Sequence, residues 1–186
     1  MMLDANLQFS NAQAVTASAA STGFYDQLAG TMGTTTFTPA PAATFGPNAT
    51  YFGEDIGIGK GVGTPRVVVS IGTAFATLTS LQVQFRTAPD NVTAHASGNR
   101  SDLTFTVAME TPTVAVALLT ANSRLASFDW PMRSRSATAL PRFVDLNYAV
   151  TGSNATTGTI TTDVTLGEDD ATGTLPLYPS GFKVGA

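Results

Sequence analysis

At 186 residues the chain has the length of one ordinary domain, enough to bury roughly two-thirds of its extended surface. Charged residues make up only 12%, about half the usual share, and thirty Thr, seventeen Gly and ten Pro stand largely in their place. The formal charge of −4 argues against direct binding to a polyanion such as DNA. With no Cys and a single His, His95, the sequence excludes Cys-based zinc sites, thiol catalysis, disulfide scaffolds and iron–sulfur ligation.

Residues 1–64 read as an N-terminal arm followed by a Gly-, Pro- and Thr-rich segment that packs on the core or extends from it. Asp4, with no basic residue ahead of the Ala-rich stretch at 12–20, does not fit a secretory signal, so synthesis in a cytoplasm is expected. Residues 12–20 leave room for a short helical turn. Segment 31–64 keeps Phe37, Phe45, Tyr51 and Phe52 among its prolines and glycines, which suits an extended piece that docks onto a surface. Gly57, Gly59, Gly61 and Gly63 surround Lys60 and invite a nucleotide-binding reading. It fails: Val62 stands where a dinucleotide fingerprint needs Gly, and Gly61 where a P-loop needs Ser or Thr.

From residue 65 to 166 alternation of apolar and polar residues predicts a β-sandwich core, since successive side chains on a strand point to opposite faces. Val67, Val69 and Ile71 form the first apolar row, and Leu81, Val83 and Phe85 the second. Leu103, Phe105, Val107 and Met109 follow. Residues 114–119 are apolar on both sides and read as a central or interfacial strand; 125–130 supply another. Val144, Leu146, Tyr148 and Val150 alternate next, then Ile160, Val164 and Leu166 with Thr162. Clusters at 89–91, 97–99 and 152–154 separate the strands. Short strands divided by turn residues predict an all-β, antiparallel sandwich or jelly roll with extended N-terminal and C-terminal arms. The longest strongly apolar run, 114–119, is far below the ~20 residues of a bilayer span, so no membrane association is expected. Residues 167–186 form the C-terminal arm, with Leu175, Leu177, Tyr178 and Phe182.

Catalytic candidates are thin. His95 lies in a loop between predicted strands and lacks a nucleophile elbow. The carboxylates offer no pair that stands out for acid–base work. Glu168, Asp169 and Asp170 lack the spacing of a calcium loop and read as a solvated acidic turn, leaving cation binding there undecided. No enzyme activity, cofactor or metal is expected. Arg124, Arg133, Arg135 and Arg142 cluster around Pro131 and Pro141, and an Arg-rich rim suits pairing with carboxylates on a neighbour.

Several segments in order resemble one family. The opening, with Leu3, Leu7 and Phe9 followed by Ala12-Gln13-Ala14-Val15, resembles the start of capsid cement (decoration) proteins of tailed bacteriophages, of the Bordetella podophage type. The Gly-rich segment at 55–63 and Val-rich strand at 66–71 follow as they do there. Leu140-Pro141-Arg142-Phe143 with Leu146-Asn147-Tyr148 resembles the family's Leu-Pro turn and next strand, and 157–161 its closing strand. Residues 31–54 and the tail after Gly167 are longer than the family pattern. The resemblance implies a jelly-roll virion protein on the outer surface of the head that pairs with itself, as a dimer or else a trimer, and clamps adjacent major capsid protein subunits. Leu3, Leu7, Phe9, Arg133, Arg135, Arg142, Tyr178 and Phe182 are then the expected contacts with the capsid, another subunit or, for the apolar ones, the chain's own domain. The alternative is a jelly-roll module of a virion appendage that binds carbohydrate or a receptor.

Overall fold

The structure, a computed structural model, describes residues 8–27, 31–38, 66–130 and 141–165. The predicted contacts Leu3, Leu7, Arg133, Arg135, Tyr178 and Phe182, the glycines at 57–63, the acidic run at 168–170 and the whole C-terminal arm lie outside the described residues.

The fold is all-β and antiparallel, as the alternation predicts. Among the described residues the nine strands are β1 (Gln8–Ala14), β2 (Ala19–Ala20), β3 (Phe24–Asp26), β4 (Thr31–Gly33), β5 (Arg66–Ala88), β6 (Thr106–Glu110), β7 (Val114–Ala115), β8 (Arg124–Asp129) and β9 (Phe143–Thr165). The first two and last two apolar rows are not four strands but two. β5 and β9 each run for 23 residues and pair with each other from Arg66↔Thr165 to Ala88↔Phe143. Residues 152–154, expected to separate strands, lie inside β9.

Such a ladder would be a long flat ribbon if it were regular. Register shifts between Ile71 and Ser80 break it, and Thr77, Gly152 and Gly158 there have φ of 74°, 85° and 141°. Bulges of this kind bend a strand and strengthen its twist. Threonine hydroxyls replace ladder bonds at the bend: Thr77 Oγ1 donates to the Asn154 carbonyl and accepts from the Thr156 N–H, and Thr159 Oγ1 accepts from the Thr73 N–H. The sheet thereby folds over into two facing halves. One half is β8, the start of β5, the end of β9, and β1. The other holds β6 and β7 beside the end of β5, then the start of β9, with β2, β3 and β4 beyond it.

Aromatic rings fill the space between the halves. Trp130 stacks on Phe9 at 6.0 Å and meets Tyr25 and Phe85 edge-on at 5.6 and 5.5 Å. Val67, Val69, Ile71, Leu81, Val83, Leu146 and Ile160 complete the core. Tyr148 crosses the gap, its hydroxyl shared with Ser10 and Thr162 at 2.8 Å each. Burial, only partly offset by those two hydrogen bonds, pushes its pKa up to about 12, so it stays a neutral phenol in the core.

Several expectations are corrected. Residues 8–33, read as part of an arm, supply four strands of the sheet. Residues 12–20 form no helical turn. Segment 114–119 is a two-residue strand followed by a 3-10 turn, Val116–Leu118; Leu119 is fully buried, Val114 and Val116 pack on the core in part, and Leu118 stays 69% exposed. The strand expected from Leu103 begins at Thr106. His95 sits in a short helix, α1 (Val92–Ser97), capped by Asn91 and by Gly98 in the left-handed conformation.

A Cβ on Gly158 would lie 2.2 Å from Phe75 Cδ1, at a φ that side chains avoid. Gly158→Ala is therefore expected to destabilise the fold by about 2–4 kcal/mol, combining overpacking with left-handed strain. Urea denaturation measures it, with Thr156→Ala on the exposed side of the same bend as a control expected to stay within about 0.5 kcal/mol.

Candidate functional site

Where β3, the end of β5 and the start of β9 meet, the outward face of the second half-sheet is covered. Phe24 and Asp26 from β3, Arg86 and Ala88 from β5, and Phe143 and Asp145 from β9 all point that way. Over them lie Phe37, α1 and a second 3-10 turn, Arg100–Asp102, with Ala94, Leu103 and Phe105 completing a small second core. Charges are threaded through it.

Arg142 is 1% exposed. Its Nε and Nη2 donate to the two oxygens of Asp26 at 2.9 and 2.7 Å, its Nη1 to Asp90 at 2.7 Å, and its Nη2 also to the Thr38 carbonyl at 2.6 Å. The guanidinium lies 4.6 Å from the Phe143 ring centre and 5.2 Å from that of Phe37. Burial, the largest single influence, disfavours the cation, yet the bonds and charges of Asp26 and then Asp90 outweigh it and raise the Arg142 pKa further. Asp145, fully buried, is the second hub. Arg86 grips it with two bonds of 2.9 and 2.7 Å, and Arg100 adds a third of 2.8 Å. Arg100 also donates to the carbonyls of Ser21 and Thr22, and lies over the rings of Phe24 and Phe105. Forked guanidinium–carboxylate pairs fix angle as well as distance. In this cluster arginines and aspartates balance in charge, so no net charge is buried.

The predicted Arg-rich rim is corrected at Arg142: its donors are used by carboxylates of its own chain, because the strand it leads into carries it beneath Phe37. Phe9 docks on its own domain, fully buried in the core and stacked on Trp130. The structure does not bring these two predicted residues together. The residues that sequence reasoning missed are Arg86, Arg100, Asp26, Asp90 and Asp145. Arg86 and Asp145 fall on the polar rows of their strands, the rows expected to face water; their direct opposition in the ladder was the available signal.

Two shallow depressions flank β4, of about 240 and 280 Å³. Asp26 lines the first, but its oxygens are held by Arg142; the second is walled by Gln8, Phe9, Met32 and backbone. Among the described residues no group of three His, Cys, Asp or Glu is placed to hold a metal. Also among them, no helix is long and apolar enough to cross a membrane. What the cluster can do chemically is brace: it ties β3, β5, β9, the 3-10 turn and Thr38 to one another. No protein-family model matches the chain, and no curated protein matches it either.

Removing Arg142 leaves two buried carboxylates without their guanidinium. Arg142→Met is expected to cost about 3–5 kcal/mol by chemical denaturation, the usual loss when half of a buried pair is deleted. A loss below about 1 kcal/mol would show that the cluster is solvated and weak.

Asp163 on β9 behaves differently. Burial lifts its carboxyl above the usual range, more than the Gln8 side-chain bond of 2.8 Å lowers it. A proton held more tightly in the folded than the unfolded chain stabilises at low pH, and that gain disappears as pH rises through the folded pKa. Asp163→Asn is therefore expected to melt above the wild type at pH 7, with the gap closing as pH falls below the raised pKa. Thermal melts across pH check this; a gap that widens on acidification contradicts it.

Proposed function

We propose that this chain is a structural protein of a phage virion: a cement protein that binds the outer surface of the head and clamps adjacent major capsid protein subunits. The observation that carries the reading is the ordered series of resembling segments. They form framework strands here, β1, the start of β5 and two stretches of β9, and an all-β sandwich is the kind of fold the resemblance implies. The charge balance adds support. Six of the described ionisable residues are spent on internal bracing, and the exposed positions among the described residues are mostly Thr, Ser and Ala. Such a surface offers adhesive area instead of reactive groups, and the reading assigns the chain no catalysis and no cofactor.

A cement protein works by mass action. It binds the assembled lattice better than separated subunits, so its binding free energy adds to that of the closed shell. Many identical contacts then act together through avidity. Leu3, Leu7, Arg133, Arg135, Tyr178 and Phe182 remain the proposed contacts with capsid or with a second copy, most simply in a dimer. Phe9 and Arg142 drop from that set. The alternative, a carbohydrate- or receptor-binding module, loses its best candidate platform, because Trp130 is 3% exposed and covered by Phe9, Tyr25 and Phe85.

Purified protein added to heads that lack it is expected to co-sediment at micromolar concentration and raise their resistance to heat. Truncation of residues 1–7, which stops short of β1, is expected to weaken binding at least tenfold while circular dichroism and melting of the sandwich stay unchanged. Absence of binding by the intact chain would reject the reading; equal binding by the truncated chain would remove the N-terminal contacts from it.

A further inference from the structure

The chain leaves β5 at Ala88, makes α1 and the 3-10 turn, and returns as β6 at Thr106. On the way it lies across a sheet face. Phe24, Ala88 and Phe143 are fully buried beneath it, closed over by Ala94 at 0% and Leu103 at 8% exposure.

Two properties set this strap apart from the sandwich. It is braced within itself. Asn91 accepts the Ala94 N–H and donates to the Asp102 carbonyl, Gly98 N–H returns to the Ala94 carbonyl, and Ser97 donates to the Asp102 carboxylate. Among the described side chains, its ties to the rest are mostly polar. Arg100 reaches Asp145 and the carbonyls of Ser21 and Thr22, and Asp90 receives Arg142. Two backbone bonds join it to the segment before it, Arg100 N–H to the Thr35 carbonyl and Phe37 N–H to the Gly98 carbonyl. Hydrophobic cohesion scales with the apolar area buried. The second core has a handful of side chains where the sandwich has a full layer, so the strap is held down by less and chiefly by ionic anchors.

We propose that residues 89–105 form a latch that opens as one unit while the sandwich stays folded, uncovering the part of the apolar face of Phe24, Ala88 and Phe143 that Phe37 does not cover. Pro89 at one end and Phe105 at the other bound the moving unit, and Arg100 is its positioning residue. Partial openings of this type proceed through contiguous cooperative units below the global unfolding free energy. The latch does not depend on the virion reading.

Amide hydrogen exchange on the full-length chain tests it. The amides of Ala94, Gly98, Asp102 and Leu103 are expected to exchange together, at least tenfold faster than paired amides of β5 and β9. In Arg100→Met, exchange of the strap is expected to accelerate at least a further tenfold, and binding of an apolar fluorescent dye to rise under native conditions. In Gly158→Ala, whose strain lies in the sandwich that stays folded when the latch opens, β5 and β9 are expected to accelerate while the strap keeps its wild-type rate. Strap and core exchanging at one rate in the wild type, no acceleration of the strap in Arg100→Met, or strap and core accelerating together in Gly158→Ala, overturns the proposal. If either variant does not fold, the other decides; if neither folds, the wild-type ranking of strap against core decides alone.

Discussion

The pairing of β5 with β9 constrains everything else. Two 23-residue strands share one ladder along their whole length. A ladder of that length cannot bury both ends of its apolar face unless it folds back on itself, and the bulges between Ile71 and Ser80 let it do so. Once bent, the rows Val67–Val69–Ile71 and Leu81–Val83–Phe85 face each other, and so do Ile160–Thr162–Val164 and Leu146–Tyr148. Trp130 and Phe9 from the flanking segments then plug the gap. The remaining strands are short because they only extend a frame that already exists. The bend also gives the threonines a structural use: where the ladder breaks, their hydroxyls take over the backbone donors and acceptors that would otherwise be left unpaired, a loss that costs most out of reach of water.

Six charged side chains of the described residues are turned inward. Arg86, Arg100 and Arg142 are matched by Asp26, Asp90 and Asp145 where a covering strap, which itself supplies Asp90 and Arg100, meets the sheet, with phenyl rings against their flat faces. Taking such groups out of water is expensive, and the mutual attraction repays it only when the forks are aligned and the remaining donors satisfied. Here Arg142 and Arg100 meet carboxylates and carbonyls with most of their donors and Arg86 holds Asp145 through a two-bond fork, so the arrangement buys orientation more than raw stability. It fixes how the N-terminal segment, the strap and the two long strands sit together. Among the described residues, the exposed positions that remain are mostly small and neutral.

Much of the fold was legible in the sequence because a half-buried strand writes its burial as alternation. The rows in β5, β8 and β9 were recovered, with Trp130 beside one of them. The joins between rows were not. Gly152, Ser153 and Asn154 look like a turn in one dimension, and a bulged bend uses Gly152 for the same reason a turn would, its tolerance of positive φ. Residues 114–119 looked like a strand because they are uniformly apolar, although a 3-10 turn with one inward Leu satisfies them as well. The candidate site was less legible still. Arg86 and Asp145 sit on polar rows, and alternation assigns polar rows to water.

The residues alone determined the class of the molecule: abundant β-branched side chains disfavour helices, period-2 rows demand a sheet, and the lack of Cys and near lack of His remove whole chemistries. Those are properties of neighbours a few positions apart, which local sterics and composition dictate. Only the tertiary structure decided that four rows are two strands, that Phe9 belongs to the core, and that Arg142 is an internal brace instead of a rim. Each of those depends on contacts between residues from 52 to more than 100 positions apart, such as Arg142 with Asp90 and with Asp26. Local periodicity carries no record of which distant segment will cover a given face.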